Sequence, residues 1–153
     1  MTYFVTGATG FIGRRLVKKL LARRGTVVYF LVRAESRDKV PALLEDWGVG
    51  EERAIPVVGD LGQPLLGVSR ADQKKLSGKV KHFFHLAAVY DLKADAESQI
   101  VANIDGTRNA VALANAIKAG VFQHVSSIAA AGMYEGVFRE DMFDEAEGLD
   151  HPY

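Results

Sequence analysis

The chain has 153 residues, 48% of them hydrophobic and 25% charged, which suits one domain with a buried core. Nineteen basic and nineteen acidic side chains cancel, so no global positive field recruits nucleic acid or an anionic membrane, and the lack of cysteine excludes disulfides, thiolate metal sites and cysteine nucleophiles. No apolar run approaches the roughly 20 residues that span a bilayer, and no basic, apolar leader precedes the first strand, so a cytoplasmic protein is expected.

Tyr3 to Thr6 read as a buried strand, and Ile12, Leu16 and Leu20, spaced by four, share one face of the helix that follows. Between them runs Thr6-Gly7-Ala8-Thr9-Gly10-Phe11-Ile12-Gly13, so a strand feeds a helix through a glycine-rich turn. In a dinucleotide-binding unit such glycines permit the tight turn, let backbone N–H groups approach a pyrophosphate and seat the helix on the strand, with the helix N-terminus facing the anion. The spacing is Gly-x-x-Gly-x-x-Gly rather than the standard Gly-x-Gly-x-x-Gly. Its position between strand and helix nevertheless points to a phosphate cradle made of Thr6, Gly7, Thr9, Gly10, Phe11, Ile12 and Gly13.

Lys18, Lys19, Arg23 and Arg24 suit the solvent side and C-terminal end of this helix, which Gly25 stops, and Thr26 to Val32 form a second strand. Asp38 to Trp47 read as a short helix with Pro41 in its first turn, where a missing N–H is harmless. Ala54 to Val58 form a third strand closed by Gly59-Asp60-Leu61, and Ser69 to Leu76 a helix capped by Ser69 with Asp72 at its third position. Lys81 to Ala87 are a fourth strand. Ile100, Ile104, Thr107, Val111 and Ala114 step along one helical face that ends by Gly120, and Val121 to Val125 are a fifth strand.

Strands alternating with helices predict an α/β fold, a doubly wound parallel sheet of Rossmann type in the order 3-2-1-4-5 with helices on both faces. No sixth strand or substrate-binding half precedes His151-Pro152-Tyr153, so residues 1–153 read as the dinucleotide-binding front of a longer enzyme whose C-terminal part is missing.

An NAD site places Asp or Glu about 20 residues beyond the glycine turn, where it bonds the ribose 2′-hydroxyl. Leu31-Val32-Arg33 stand there instead, and a guanidinium suits a 2′-phosphate, so NADPH is expected ahead of NADH. Arg14 and Arg37 either add charge near that phosphate or stand in solvent, and Glu35 offers a carboxylate if the strand runs two residues further. Asp60 reads two ways: it bonds the adenine amino group with Leu61 against the ring, or it pairs with N–H groups of its own turn. Ala87 and Ala88 are small enough for backbone to approach the cofactor. The four histidines, His82, His85, His124 and His151, show no helical zinc pair, and no metal is expected.

Taken together, Thr6-Gly7-Ala8-Thr9-Gly10-Phe11-Ile12-Gly13, Gly59-Asp60-Leu61, His85-Leu86-Ala87-Ala88, Asn103-Ile104-Asp105-Gly106-Thr107 and His124-Val125-Ser126-Ser127 resemble the extended short-chain dehydrogenase/reductase family over nearly the whole chain. Leu31-Val32-Arg33-Ala34, the run from His82 to Asp91 and the run from Phe138 to Glu145 resemble its thioester-reductase branch, and within it the fatty acyl-coenzyme A reductases. The resemblance implies Asn103 in the helix behind the nicotinamide, where the alternative is a polar residue packed on a neighbouring helix, and Ser126 beside the cofactor. It implies catalysis by Ser127, five positions before Gly132, and by Tyr153, 26 positions after Ser127. Ser127 would polarise a carbonyl oxygen and Tyr153 would protonate it. The family's lysine, four positions beyond the tyrosine, would follow the last residue, so this stretch alone is expected to be inactive.

The implied activity is NADPH-dependent reduction of a fatty acyl thioester or fatty aldehyde. The alternatives are a sugar epimerase or dehydratase or a hydroxysteroid dehydrogenase of the same fold, and, from another class, a redox-inert dinucleotide-binding module. Met133, Tyr134, Phe138, Met142 and Phe143 line either a lipid tunnel or a core. Homo-oligomers are common in the family, and no nucleic-acid partner is implied.

Overall fold

The computed structural model describes residues 1–88, 100–127, 131–142 and 144–145. The apolar runs form five strands: β1 Thr2–Thr6, β2 Val27–Val32, β3 Ala54–Val58, β4 His82–His85 and β5 Val121–His124. The amphipathic runs form α1 Phe11–Leu21, α2 Val40–Trp47, α3 Arg70–Leu76 and α4 Gly106–Ala116, with a 3-10 turn at Ala34–Lys39 and a π-helical turn at Ile100–Asp105. All strand pairs are parallel, in the order β3-β2-β1-β4-β5, as the alternation of elements predicts. Among the described residues, no helix is long and apolar enough to cross a membrane.

Successive side chains of a strand point to opposite faces, so each strand feeds two cores. Tyr3, Val5, Val28 and Phe30 are covered by Val17, Leu20 and Leu21 of α1 and by Leu43 and Trp47 of α2. Phe4, Leu31, Val57 and Phe83 meet Leu76 of α3 and Ala110, Leu113 and Ala114 of α4. Phe30 meets Trp47 edge to face at 5.2 Å, and Phe4 stacks on Phe83 at 4.7 Å. Each such ring, fully buried, contributes roughly 2–3 kcal/mol. The indole N–H of Trp47 also donates to the carbonyl of Arg14 at 3.1 Å, tying α2 to α1.

The structure corrects two helical faces. In α1 the buried residues are Gly13, Val17, the expected Leu20, and Leu21, with Leu16 partly buried against the same core, whereas Ile12 is 61% exposed. The buried stripe advances by four, three and one from a glycine, and a pattern that counts only large apolar residues misses its first member. In α4 the buried residues are Gly106, Ala110, Leu113 and the expected Ala114, with Val111 left exposed, as is Ile104 in the π-helical turn before it. The π-helical turn widens the spiral just before α4 and shifts the phase, and the small side chains let this helix lie close on the sheet.

Boundaries shift as well. α1 ends at Leu21, ahead of Gly25, and α4 ends at Ala116, ahead of Gly120. The helix expected to start at Asp38 begins as the 3-10 turn, with Pro41 in the first turn of α2. β3 has the predicted bounds. α3 has the predicted cap, the Ser69 hydroxyl accepting from the Asp72 N–H at 3.1 Å. Of the C-terminal apolar cluster, Met142 is buried, Tyr134 and Phe138 meet edge to face, Met133 is exposed, and Phe143 lies outside the described residues.

Candidate functional site

A parallel sheet ends all its strands at one edge, and a crevice opens there where the strand order reverses, here between β1 and β4. A cavity of about 450 Å³ occupies this edge. Gly7, Thr9 and Gly10 form one wall, Ala87 and Ala88 another, and Arg33, Asp60 and Leu61 the far end.

The glycines of the first wall serve different ends. Gly7 has a φ of +73°, and a Cβ there would come within 2.7 Å of the Ala87 nitrogen, so only glycine lets β1 turn beside β4. Gly13 is buried, and a Cβ there would overlap the Gly7 carbonyl oxygen, so only glycine lets α1 close onto the turn. Gly10 is the N-cap of α1, and a Cβ there would meet only the Gly7 oxygen, at 3.3 Å. No side chain caps α1 and no acidic residue stands in its first turn, so the N-terminal amides of Phe11, Ile12 and Gly13 present an uncapped positive helix end.

At the far end, Arg33 and Ser36 line the cavity and Glu35 does not. Arg33 Nε lies 3.3 Å from Glu35 Oε1, both side chains about two-thirds exposed. Asp60 accepts the Gly62 N–H at 2.8 Å, so its carboxylate organises its own turn while facing the cavity. Leu61 is anchored from the other side, its carbonyl accepting from the Asn109 amide of α4 at 2.8 Å.

The other expected residues that the structure describes do not line the cavity itself. Thr6 is fully buried beneath the turn, its hydroxyl bonded to His85 and to the Ala87 N–H. Phe11 and Ile12 stand exposed at the start of α1. Arg14 turns away to Asp46 of α2, at 3.4 Å, in a neighbouring groove with Arg15 and Lys18. Asn103 sits in the π-helical turn, and its carbonyl accepts the Thr107 hydroxyl at 2.7 Å. Ser126 and Ser127 follow β5 at the same edge of the sheet as Ala87 and Ala88 and are exposed. Tyr153 lies outside the described residues. Among the described residues, no group of three or more histidine and acidic side chains is placed to hold a metal.

The roles of two residues are not readable from the sequence, although His85 stands in one of its motifs. Ser36 reaches the cavity because the 3-10 turn after β2 brings it back beside Arg33, with its N–H bonded to the Arg33 carbonyl at 2.9 Å. His85 is 1% exposed and bridges Thr6, at 2.7 Å, and Thr107, at 3.2 Å. Burial, with the charge of the adjacent His124, lowers its pKa from 6.5 to about 4, so it is neutral at physiological pH.

A family model described as male sterility protein matches residues 5–151. The chain is 41% identical over 135 residues to a putative dihydroflavonol 4-reductase of Synechocystis, covering 86% of this chain and 34% of that protein. It is 33% identical over 141 residues to a putative fatty acyl-CoA reductase of Drosophila melanogaster, covering 81% and 27%. The crystal structure of the terminal R domain from the myxalamid PKS-NRPS biosynthetic pathway superposes with a TM-score of 0.77 at 33% identity, covering 92% of this chain and 38% of that one. The chain therefore spans about a third of the length of these relatives.

Proposed function

The chain belongs to the male sterility protein family, in the thioester-reductase branch of the extended short-chain dehydrogenases/reductases, and from that premise we propose that it is the cofactor-binding part of an NADPH-dependent reductase of fatty acyl thioesters or the aldehydes derived from them. The relatives that carry this reading include a putative fatty acyl-CoA reductase and a reductase domain.

The single observation behind the cofactor assignment is Gly10. Packing forbids a side chain at Gly7 and Gly13, whereas at Gly10 a Cβ would be tight only against the Gly7 oxygen, and Gly10 lines the cavity at the uncapped end of α1. Glycine also suits an N-cap, and a ligand that needs bare backbone and free amides adds a further reason for it here; a diphosphate is such a ligand. Arg33 and Ser36 supply donors for a 2′-phosphate at the far end. The exposed ion pair of Arg33 with Glu35 is worth at most about 1 kcal/mol, so a phosphate that offers a bidentate contact displaces it readily. Leu61 offers apolar surface to the adenine and Asp60 a carboxylate to its amino group.

A nicotinamide, when bound, supplies the hydride. Ser127 donates a hydrogen bond to the substrate carbonyl oxygen and Tyr153 delivers its proton. With a thioester, this addition gives a hemithioacetal, which expels thiol and leaves the aldehyde. Asn103 holds the π-helical turn behind these groups, and Ser126 flanks the cofactor.

Isothermal titration with NADPH and NADH tests the cofactor assignment, with tighter binding of NADPH expected and a preference for NADH contradicting it. NADPH consumption with palmitoyl-coenzyme A by the full-length enzyme that carries this chain tests the substrate class, and turnover of nucleotide sugars alone would defeat it.

A further inference from the structure

We propose that His85 is a positioning residue, held by Thr107 as the neutral tautomer with its proton on Nε2, that fixes the cavity wall at Ala87 through Thr6 without touching a ligand itself. Its bearing on cofactor binding rests on the dinucleotide site proposed above; the hydrogen-bond chain itself does not.

The direction of every bond in this chain follows from one end. The Asn103 carbonyl can only accept, so the Thr107 hydroxyl spends its single proton on it, at 2.7 Å. Thr107 Oγ1 can then only accept from His85 Nε2, 3.2 Å away, which must carry a proton. A neutral imidazole has one, so Nδ1 is bare and accepts the Thr6 hydroxyl at 2.7 Å. The Thr6 oxygen in turn accepts the Ala87 N–H at 3.2 Å. Four bonds thus run from the backbone of one segment to the backbone of another through a buried ring.

The same residue fixes a third segment. Its own carbonyl accepts the Val125 N–H at 3.0 Å, which sets where the chain leaves β5 for Ser126 and Ser127. The ring is also packed on His124, with centroids 5.6 Å apart, and against Phe122 at 6.0 Å. Phenylalanine would fill the space and make none of these polar bonds.

Two amide replacements cut the chain at different links. His85→Asn puts an acceptor oxygen near the place of Nδ1 and keeps the Thr6 half, whereas His85→Gln puts an N–H₂ donor near the place of Nε2 and keeps the Thr107 half. The first readout needs no cofactor: long-range nitrogen–proton NMR on the wild-type chain, with hydrogen exchange at the Ala87 amide. A protonated Nε2 with a bare Nδ1, and exchange protection of Ala87 kept in His85→Asn but lost in His85→Gln, is the expected result. A proton on Nδ1, or equal loss of protection in both variants, overturns the assignment.

The second readout is NADPH affinity: His85→Asn should stay near wild type while His85→Gln falls about fivefold to tenfold, one hydrogen bond's effect on the wall. Equal losses that track thermal stability would mean His85 is only a core residue. A wild-type chain that binds neither NADPH nor NADH would sink the dinucleotide site, and the tautomer and Ala87 exchange would then decide the role of His85 by themselves.

Discussion

Gly13 of α1 stands against the carbonyl oxygen of Gly7 so closely that no side chain fits between them. That contact sets how near the helix N-terminus lies to the end of β1, and hence how the first turn presents its amides. Gly13→Ala must push the helix off the strand, and a loss of about 2–3 kcal/mol of stability is expected in urea denaturation. Gly10→Ala has only one neighbour, at 3.3 Å, and should cost less than about 1 kcal/mol while weakening NADPH binding. A large stability loss at Gly10 would return that residue to the packing and remove its ligand reason.

At the end of β2, Arg33→Ala removes an exposed ion pair and should leave stability within about 0.5 kcal/mol of wild type. NADPH affinity should fall by about tenfold or more, as expected for one charge-assisted contact, with NADH affinity unchanged. Calorimetric titration of both cofactors reads the difference. Equal effects on the two would place the guanidinium away from the 2′-phosphate.

His85 gives the stability a pH dependence. Its folded pKa is about 4 and its ordinary value 6.5, so between these pH values the unfolded chain binds a proton that the folded chain excludes. Stability is therefore full above about pH 6.5 and is lost as the pH falls towards 4, by roughly 2–3 kcal/mol. His124 is the titratable neighbour that opposes a charge on His85. Denaturation at a series of pH values should show this slope in wild type and a flatter curve in His85→Asn. A wild-type curve already flat across the window would mean that the ring gains its proton without cost.

The N-cap of α3 rests on the Ser69 hydroxyl. Ser69→Ala removes the acceptor for the Asp72 N–H and the hydroxyl that donates to the Asp72 carboxylate at 2.7 Å. That hydroxyl is the main cause of the lowered Asp72 pKa, with Lys75 adding to it. A loss of about 1 kcal/mol is expected in thermal or urea unfolding, together with a rise of the Asp72 pKa toward its ordinary value, followed by NMR. An unchanged Asp72 titration would contradict the assigned cause.

What is legible in the sequence follows the range of the forces involved. β3 and α3 can be read from their own residues because a bounded apolar run and a Ser-x-x-Asp cap are local signals. The strand order follows from the alternation of elements and the handedness of crossovers. The buried face of α4 is not legible, because the π-helical turn before it changes the phase and its contacts are alanines and a glycine rather than large apolar residues. Ser36 is hidden because a 3-10 turn, not a strand, carries the chain past Arg33. His85 is hidden because its partners, Thr6 and Thr107, are distant in sequence and meet only when the sheet forms.

A nitrogen–proton NMR titration of the chain with NADPH reads the first turn amide by amide. The largest shifts should fall on the amides of Gly7 to Gly13, with further shifts at Arg33, Ser36, Leu61 and Ala87. Shifts confined to the groove around Arg15 and Lys18, or none at saturating NADPH, would contradict a dinucleotide held by the first turn.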